Sequence, residues 1–176
     1  MAQSAIDLPR HTDWMIVRPA SATDVEALVD VQQAGAVRGL AHIFPQDRYP
    51  FPREVIVQRW LDEIADPDLH VYVSADESGA ITGFAATASN ELRHFGTAPW
   101  WWGTGLASDL HDAMLQVFAA AAVGPTIHLY VFEANARARR FYEKHDWRGT
   151  GSTRLTSFAP NPVLIEYERA LSPIHQ

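Results

Sequence analysis

The sequence predicts a mixed α/β fold: one largely antiparallel sheet of seven strands, flanked by about four helices. Three observations carry that expectation. Strand-like and helix-like hydrophobic spacings follow one another as strand, two helices, three strands, helix, strand, helix, two strands. Turn signals at Asp76-Glu77-Ser78-Gly79 and Ala159-Pro160-Asn161-Pro162 close hairpins, whose strands must run antiparallel. Only the passages through the last two helices are long enough for parallel crossovers.

Each element has its own justification. Residues 1–13 are polar and mixed and read as a flexible arm ahead of a single domain over 14–176. Met15 to Arg18 is a short apolar run stopped by Pro19, a first strand. Thr23 with Glu26 has the spacing of a capping box and opens a helix to about Val37. From Gly39 to Pro52, prolines and aromatics follow no period, which predicts an irregular ordered segment. A second helix covers about Arg53 to Ala65 and ends at Asp66-Pro67. Leu69, Val71 and Val73 alternate with His70 and Tyr72, and Ala80 to Ala88 returns as the hairpin partner. A strand over Glu91 to Thr97 runs into a loop and then a helix in which Leu106, Leu110, Met114, Val117, Phe118 and Ala121 share one face. Thr126 to Phe132 reads as a buried strand, Asn135 to His145 as a short arginine-rich helix, and Arg148 to Phe158 with Val163 to Arg169 as the closing hairpin.

Composition narrows the function classes. A chain of 176 residues can bury roughly 70% of its unfolded surface in one core. Cysteine is absent, which excludes disulfides, thiolate metal sites and a cysteine nucleophile. The formal charge of −7 argues against a nucleic-acid partner and suits a cationic small molecule. No apolar run has the length of a signal peptide or a membrane span, so a cytoplasmic protein without membrane attachment is expected. The eight histidines form no H-E-x-x-H or similar ligand cluster, and no metal is expected.

The stretch Pro99-Trp100-Trp101-Trp102-Gly103-Thr104-Gly105-Leu106-Ala107 has the design of an anion site. A helix start leaves N–H groups without intrahelical acceptors and carries the positive end of the macrodipole. Glycines there let a phosphate approach the backbone. A Walker loop is absent, and the third glycine or alanine of a dinucleotide fingerprint is missing.

This stretch resembles the acyl-CoA pyrophosphate loop of the GNAT superfamily of N-acetyltransferases. Asn135-Ala136-Arg137-Ala138-Arg139-Arg140-Phe141-Tyr142-Glu143-Lys144 resembles that family's second signature, N-x-x-A-x-x-F-Y-E-K. The two motifs stand in the family's order, and the element order is the family's over nearly the whole chain. The resemblance implies a V-shaped splay between the fourth and fifth strands that receives the pantetheine arm of acetyl-CoA, the co-substrate. It assigns cofactor contacts to Thr97, Trp102, Gly103, Thr104, Gly105, Leu106, Ala107, Asn135, Arg139 and Arg140. It also places Tyr142 near the thioester sulfur as general acid, a role that suits a phenol protonated at neutral pH.

Glu91 stands where many relatives keep the glutamate that deprotonates the amine. His94, three positions on, faces away from Glu91 in a regular strand and becomes a rival base if a bulge changes its facing. His42 is a third candidate. The chain departs from the family at Trp102, where Gln or Arg is usual, at Thr104, often basic, and at Asp146, usually glycine. The loop therefore offers amides without charge of its own, and Arg137, Arg139 or Arg140 would have to supply it.

The leading expectation is acetyl transfer to a primary amine of a small molecule, peptide or protein, with the acceptor side walled by Gly39 to Pro52 and the closing hairpin. A non-catalytic acyl-CoA-binding module is the alternative, and a doubly wound nucleotide-binding domain a weaker one. The acceptor, the acyl chain preferred and whether the chain forms a homodimer stay open.

Overall fold

The computed structural model describes residues 15–171; the arm expected over residues 1–13 lies outside the described residues. In chain order the elements are β1 (Ile16–Pro19), α1 (Val25–Gly39), α2 (Arg53–Ala65), β2 (Leu69–Ala75), β3 (Ile81–Ala88), β4 (Glu91–Thr97), α3 (Leu106–Ala120), β5 (Thr126–Phe132), α4 (Ala136–Lys144), β6 (Arg148–Leu155) and β7 (Val163–Ala170). The seven strands form one sheet in the order β1-β2-β3-β4-β5-β7-β6. Every neighbouring pair is antiparallel except β4 and β5, which are parallel. The mixed, mostly antiparallel sheet expected from the hairpin signals is the one observed.

The start of α1 differs from the expected capping box. A 3-10 turn, Ala22–Asp24, precedes the helix, and the carboxylate of Asp24 accepts the Ser21 N–H at 2.8 Å. The same carboxylate takes both arms of Arg18, each at 2.8 Å. Chiefly through that bidentate bond, Asp24 is held down at about 2. Ser21 and Asp24 thus do the work expected of Thr23 and Glu26, and Glu26 instead pairs with Arg53 of α2 at 2.7 Å.

Apolar side chains fill both faces of the sheet. On one face Leu28, Val29, Ile56 and Trp60 of α1 and α2 pack on Val71, Val73 and Phe84. On the other, Leu110, Met114, Val117 and Phe118 of α3 meet Leu92, Ile127, Leu129 and Val131, with Tyr142 and Trp147 from α4 and just beyond it. The alternation of Ile127, Leu129 and Val131 along β5 leaves His128, Tyr130 and Phe132 for the α1/α2 side.

Two departures from regular pairing in β4 set the geometry of the sheet's centre. Its parallel pairing with β5 is confined to Glu91 and His128, reinforced by the His128 N–H to Asn90 carbonyl bond at 3.0 Å. Beyond that point the two strands part, which is the expected splay. Along the β3 edge, Thr87 opposes Leu92 while Ala86 opposes His94, so Arg93 is the extra residue of a bulge. Leu92 and Phe95 contact the α3/α4 side, and His94 contacts Trp60 of α2. The bulge therefore brings His94 onto the face that Glu91 occupies by alternation with Leu92. In an unbulged strand the two would be opposed.

A polar seam ties α3 to α4. Trp147 donates its indole N–H to Nε2 of the buried His111 at 2.9 Å, so His111 is neutral with its proton on Nδ1. Burial, then the neighbouring His145 ring at 4.8 Å, and further Arg169, push His111 down to about 4 against the opposing pull of Asp112. In the unfolded chain an ordinary histidine titrates near 6.5. The unfolded state therefore binds the extra proton between these two values, and stability present above pH ~6.5 is lost as pH falls towards ~4. The expected loss from this residue is about 3 kcal/mol, read by urea unfolding across that range, and His111→Gln should flatten the slope.

Candidate active site

The end of β4 delivers the chain into the loop. Thr97 is buried, and its carbonyl accepts the indole N–H of Trp102 at 3.2 Å. Pro99–Trp101 form a 3-10 turn, and Gly103 and Gly105 then take left-handed φ values of 81° and 95°. A side chain at either glycine would meet nothing within 4 Å, so both open outwards. The first residue of α3 to bond back into the helix start is Asp109, whose N–H reaches the Gly105 carbonyl at 3.1 Å. The earlier N–H groups, at Leu106, Ala107 and Ser108, emerge at the helix start. The Thr104 hydroxyl braces the turn, donating to the Trp101 carbonyl at 2.6 Å and accepting weakly from the Leu106 N–H at 3.4 Å.

Trp102 is wedged between two elements. Its ring lies 3.3 Å under the Arg137 guanidinium of α4, with Arg38 of α1 at 5.7 Å. A Cβ on Gly39 would come within 3.2 Å of the same ring, so that glycine makes room for it. Among the three arginines of α4 it is Arg137 that the tryptophan brings beside the loop. Arg139 turns the other way, donating to the Tyr167 hydroxyl at 3.2 Å and the Glu133 carbonyl at 3.1 Å. There it lines a cavity of about 610 Å³ with Gly149, Gly151, Thr153 and Tyr167, beside the bulged β6. Arg140 is exposed on α4. Asn135 caps α4, its side-chain oxygen accepting the Ala138 N–H at 3.2 Å.

Tyr142 sits below the gap between the splayed strands. Its ring touches Phe95 of β4 on one side and Tyr167 of β7 on the other, at centroid distances of 6.4 and 6.5 Å. Burial raises its hydroxyl above the ordinary phenol range, so it stays protonated at any physiological pH.

The opposite face of the sheet holds the candidate bases. Glu91 is mostly buried, with Arg154 Nη2 at 4.0 Å. Arg154 in turn lies 3.7 Å over the ring of Tyr130, whose hydroxyl donates to Glu166 at 2.9 Å. His94 points its Nε2 between the two oxygens of Glu63, at 3.1 and 3.0 Å, with hydrogen-bond geometry met at Oε1. Burial lowers His94 in spite of that carboxylate, and it is neutral. For Glu63, burial pushes upwards, but His94, Arg59 and Arg93 together outweigh it and the carboxylate stays ionised. His42 bonds the Ala134 carbonyl at 2.8 Å, latching the Gly39 to Pro52 segment to the loop between β5 and α4.

A sequence model of the acetyltransferase (GNAT) family matches residues 27–147, well over half of the chain. The chain belongs to the GNAT family. No match was found among proteins of curated function. Solved structures share the fold at low identity. The PaiA N-acetyltransferase of Thermoplasma acidophilum, in complex with coenzyme A, is 17% identical with a TM-score of 0.65, over 86% of this chain and 97% of that one. The spermidine N-acetyltransferase of Vibrio cholerae, with CoA and spermine, is 15% identical with a TM-score of 0.68, over 91% and 97%. An acetyltransferase of Salmonella typhimurium that modifies the N-terminal serine of ribosomal protein L7/L12 is 13% identical with a TM-score of 0.73, over 94% and 99%. Among the described residues of this GNAT chain no helix is long and apolar enough to cross a membrane.

Sequence motifs point to the loop and both signatures but not to Tyr130, Arg154 or Glu63. Tyr130 could have been found from its alternation with Leu129 and Val131. Glu63 sits on a helix face that periodicity marks only as half apolar, and its partner is 31 residues away. The open space at Gly105 yields a direct test. Gly105→Trp should abolish the heat of acetyl-CoA binding in calorimetry while circular dichroism still shows a folded protein; unchanged affinity would remove the loop from cofactor binding.

Proposed function

We propose that this GNAT chain is an acetyl-CoA-dependent N-acetyltransferase that moves an acetyl group onto a primary amine. The observation that carries the reading is the helix start at Leu106. Its first amides follow two left-handed glycines facing open space, at the wide end of the gap between β4 and β5. That combination suits a diphosphate with an extended arm attached. The amides of Gly103, Gly105 and Ala107 would grip the pyrophosphate, those of Thr104 and Leu106 donating to the Trp101 carbonyl and the Thr104 hydroxyl, and Arg137 on the Trp102 ring would add the charge that the loop lacks. The amide groups of a pantetheine arm suit the main-chain donors and acceptors that β4 and β5 no longer spend on each other. The spare amide nitrogen of Asn135 lies at the start of α4, near the same gap.

In the reaction the amine nitrogen forms a bond to the thioester carbonyl carbon, and the carbon–sulfur bond of the tetrahedral adduct then breaks. The nitrogen loses its proton to Glu91, through water if the distance requires it. The departing thiolate takes the Tyr142 proton, which solvent later restores. Burial keeps the phenol protonated before transfer, while making it a weaker acid than an exposed tyrosine. Glu91 and His94 share a face, but His94 is committed to Glu63, which leaves Glu91 as the better base.

The burial of Tyr142 also favours a rival reading, an acyl-CoA-binding module without turnover. One measurement separates them. Tyr142→Phe is expected to lower kcat by about 10²-fold or more in a thiol-release assay with an amine panel, with acetyl-CoA affinity nearly unchanged. Glu91→Gln should cost a similar factor at neutral pH. Tight acetyl-CoA binding with no turnover on any amine, in wild type and variants alike, would establish the binding module.

A further inference from the structure

The α1/α2 face of the sheet holds an arginine that the acyl-transfer chemistry does not use. Arg59 of α2 lies under the ring of Phe158, 5.7 Å from guanidinium carbon to ring centroid, and its buried Nε has no hydrogen-bond partner among the described residues. Burial lowers it below the ordinary arginine value, and the like charge of Arg93 adds to the effect, while Glu63 opposes it. Glu63, one turn further along α2, is already engaged by His94 and by Arg93, whose Nε stands 3.5 Å from Oε1. Two guanidiniums and a neutral histidine therefore share a single carboxylate. The Arg59 Nε is thus a buried donor without an acceptor among the described residues, and a fold that keeps one leaves room for an acceptor from outside.

The position of this cluster says what would bring that hydrogen-bond acceptor. Arg93 lies on the same face as Glu91, two residues away, and Phe158 belongs to the loop between β6 and β7 and packs against the α1/α2 core. A molecule that presents its amine to Glu91 would extend towards Arg93 and Arg59. We propose that the acceptor is a small amine carrying a carboxylate, which Arg59 and Arg93 bind while its amino group faces Glu91. A guanidinium fork matches a carboxylate in plane and charge, so this pair selects amino acids over polyamines and over protein N-termini, whose reacting amines have no carboxylate at that reach. The assignment rests on the acetyl-transfer reading above and narrows it, replacing the cationic acceptor that net charge alone suggested.

The test pairs the standard amino acids, with β- and γ-amino acids added, against the same amines lacking the carboxyl group, using acetyl-CoA as donor. Wild type should show kcat/KM at least ~10-fold higher for the carboxylate-bearing member of the best pair. Arg59→Gln should collapse that preference, raising KM for the carboxylate-bearing amine about 10-fold more than for its partner with little change in kcat. Arg59→Lys should restore part of it, and Arg93→Gln should act in the same direction. Thermal unfolding checks that each variant keeps the fold. Preference for the carboxyl-free amines, equal KM changes within each pair, or no turnover of either series while acetyl-CoA still binds would overturn the assignment. Absence of acetyl-CoA binding in calorimetry would instead overturn the transfer reading, and this assignment with it.

Discussion

A parallel strand pair that holds together at one residue is the constraint on which the site depends. β4 and β5 meet at Glu91 and His128 and then part. Hydrogen bonding across a sheet requires strands about 5 Å apart, so every further step of divergence leaves main-chain donors and acceptors on both inner edges without each other. Such groups need partners, and in a folded domain the supply is water or a ligand. At the wide end of the gap stand the glycine turn and the start of α3, while Tyr142 lies underneath it. The glycine turn, the open gap and the buried phenol beneath it thus come together through one departure from regular pairing.

What keeps the gap from closing is packing on both faces. Trp60 lies edge-on to Phe84 at 5.6 Å and tilted against His94 at 4.8 Å, holding β4 from the α2 side. From the other side Phe95 stacks on Phe141 at 5.7 Å, and Tyr142 packs on Trp147. Each buried aromatic ring contributes on the order of 2–3 kcal/mol, so moving β4 towards β5 would cost more than the few hydrogen bonds regained. The bulge at Arg93 adds a second consequence: it turns His94 towards α2 beside Glu91 and Arg93, where a regular strand would have put it on the opposite face. The chain thereby separates its tasks by face. Apolar packing and the phenol lie on the α3/α4 side, and the Glu91 carboxylate and the guanidiniums lie on the other.

Electrostatics at the loop take a different route from a basic residue in the loop itself. Trp102 carries no charge, yet its ring forms a platform on which Arg137 rests at 3.3 Å. Arg139, two residues on in the same helix, spends its donors on Tyr167 and Glu133. Tyr167 in turn donates to Glu143 at 2.8 Å, tying α4 to β7. Two arginines on opposite sides of one short helix thus serve separate ends: one is held beside the loop, the other anchors the helix.

The order of the elements and the spans of α2 (Arg53–Ala65), β4 (Glu91–Thr97) and β5 (Thr126–Phe132) were legible in the sequence, as was the pairing of the two motifs that mark the family. These features are written locally: hydrophobic period, turn residues and the glycines of a helix start act over a few neighbours. Tertiary structure alone decided that Ser21 and Asp24, with Arg18, cap the first helical turns, that Arg137 and not Arg139 meets the loop, and that His42 latches onto Ala134, 92 residues away. It also decided that His94 shares a face with Glu91, since one extra residue in β4 inverts the alternation and only pairing with β3 sets where it sits. Periodicity fixes which side of an element is apolar, whereas the partner of a polar side chain depends on the crossing of elements far apart in the chain.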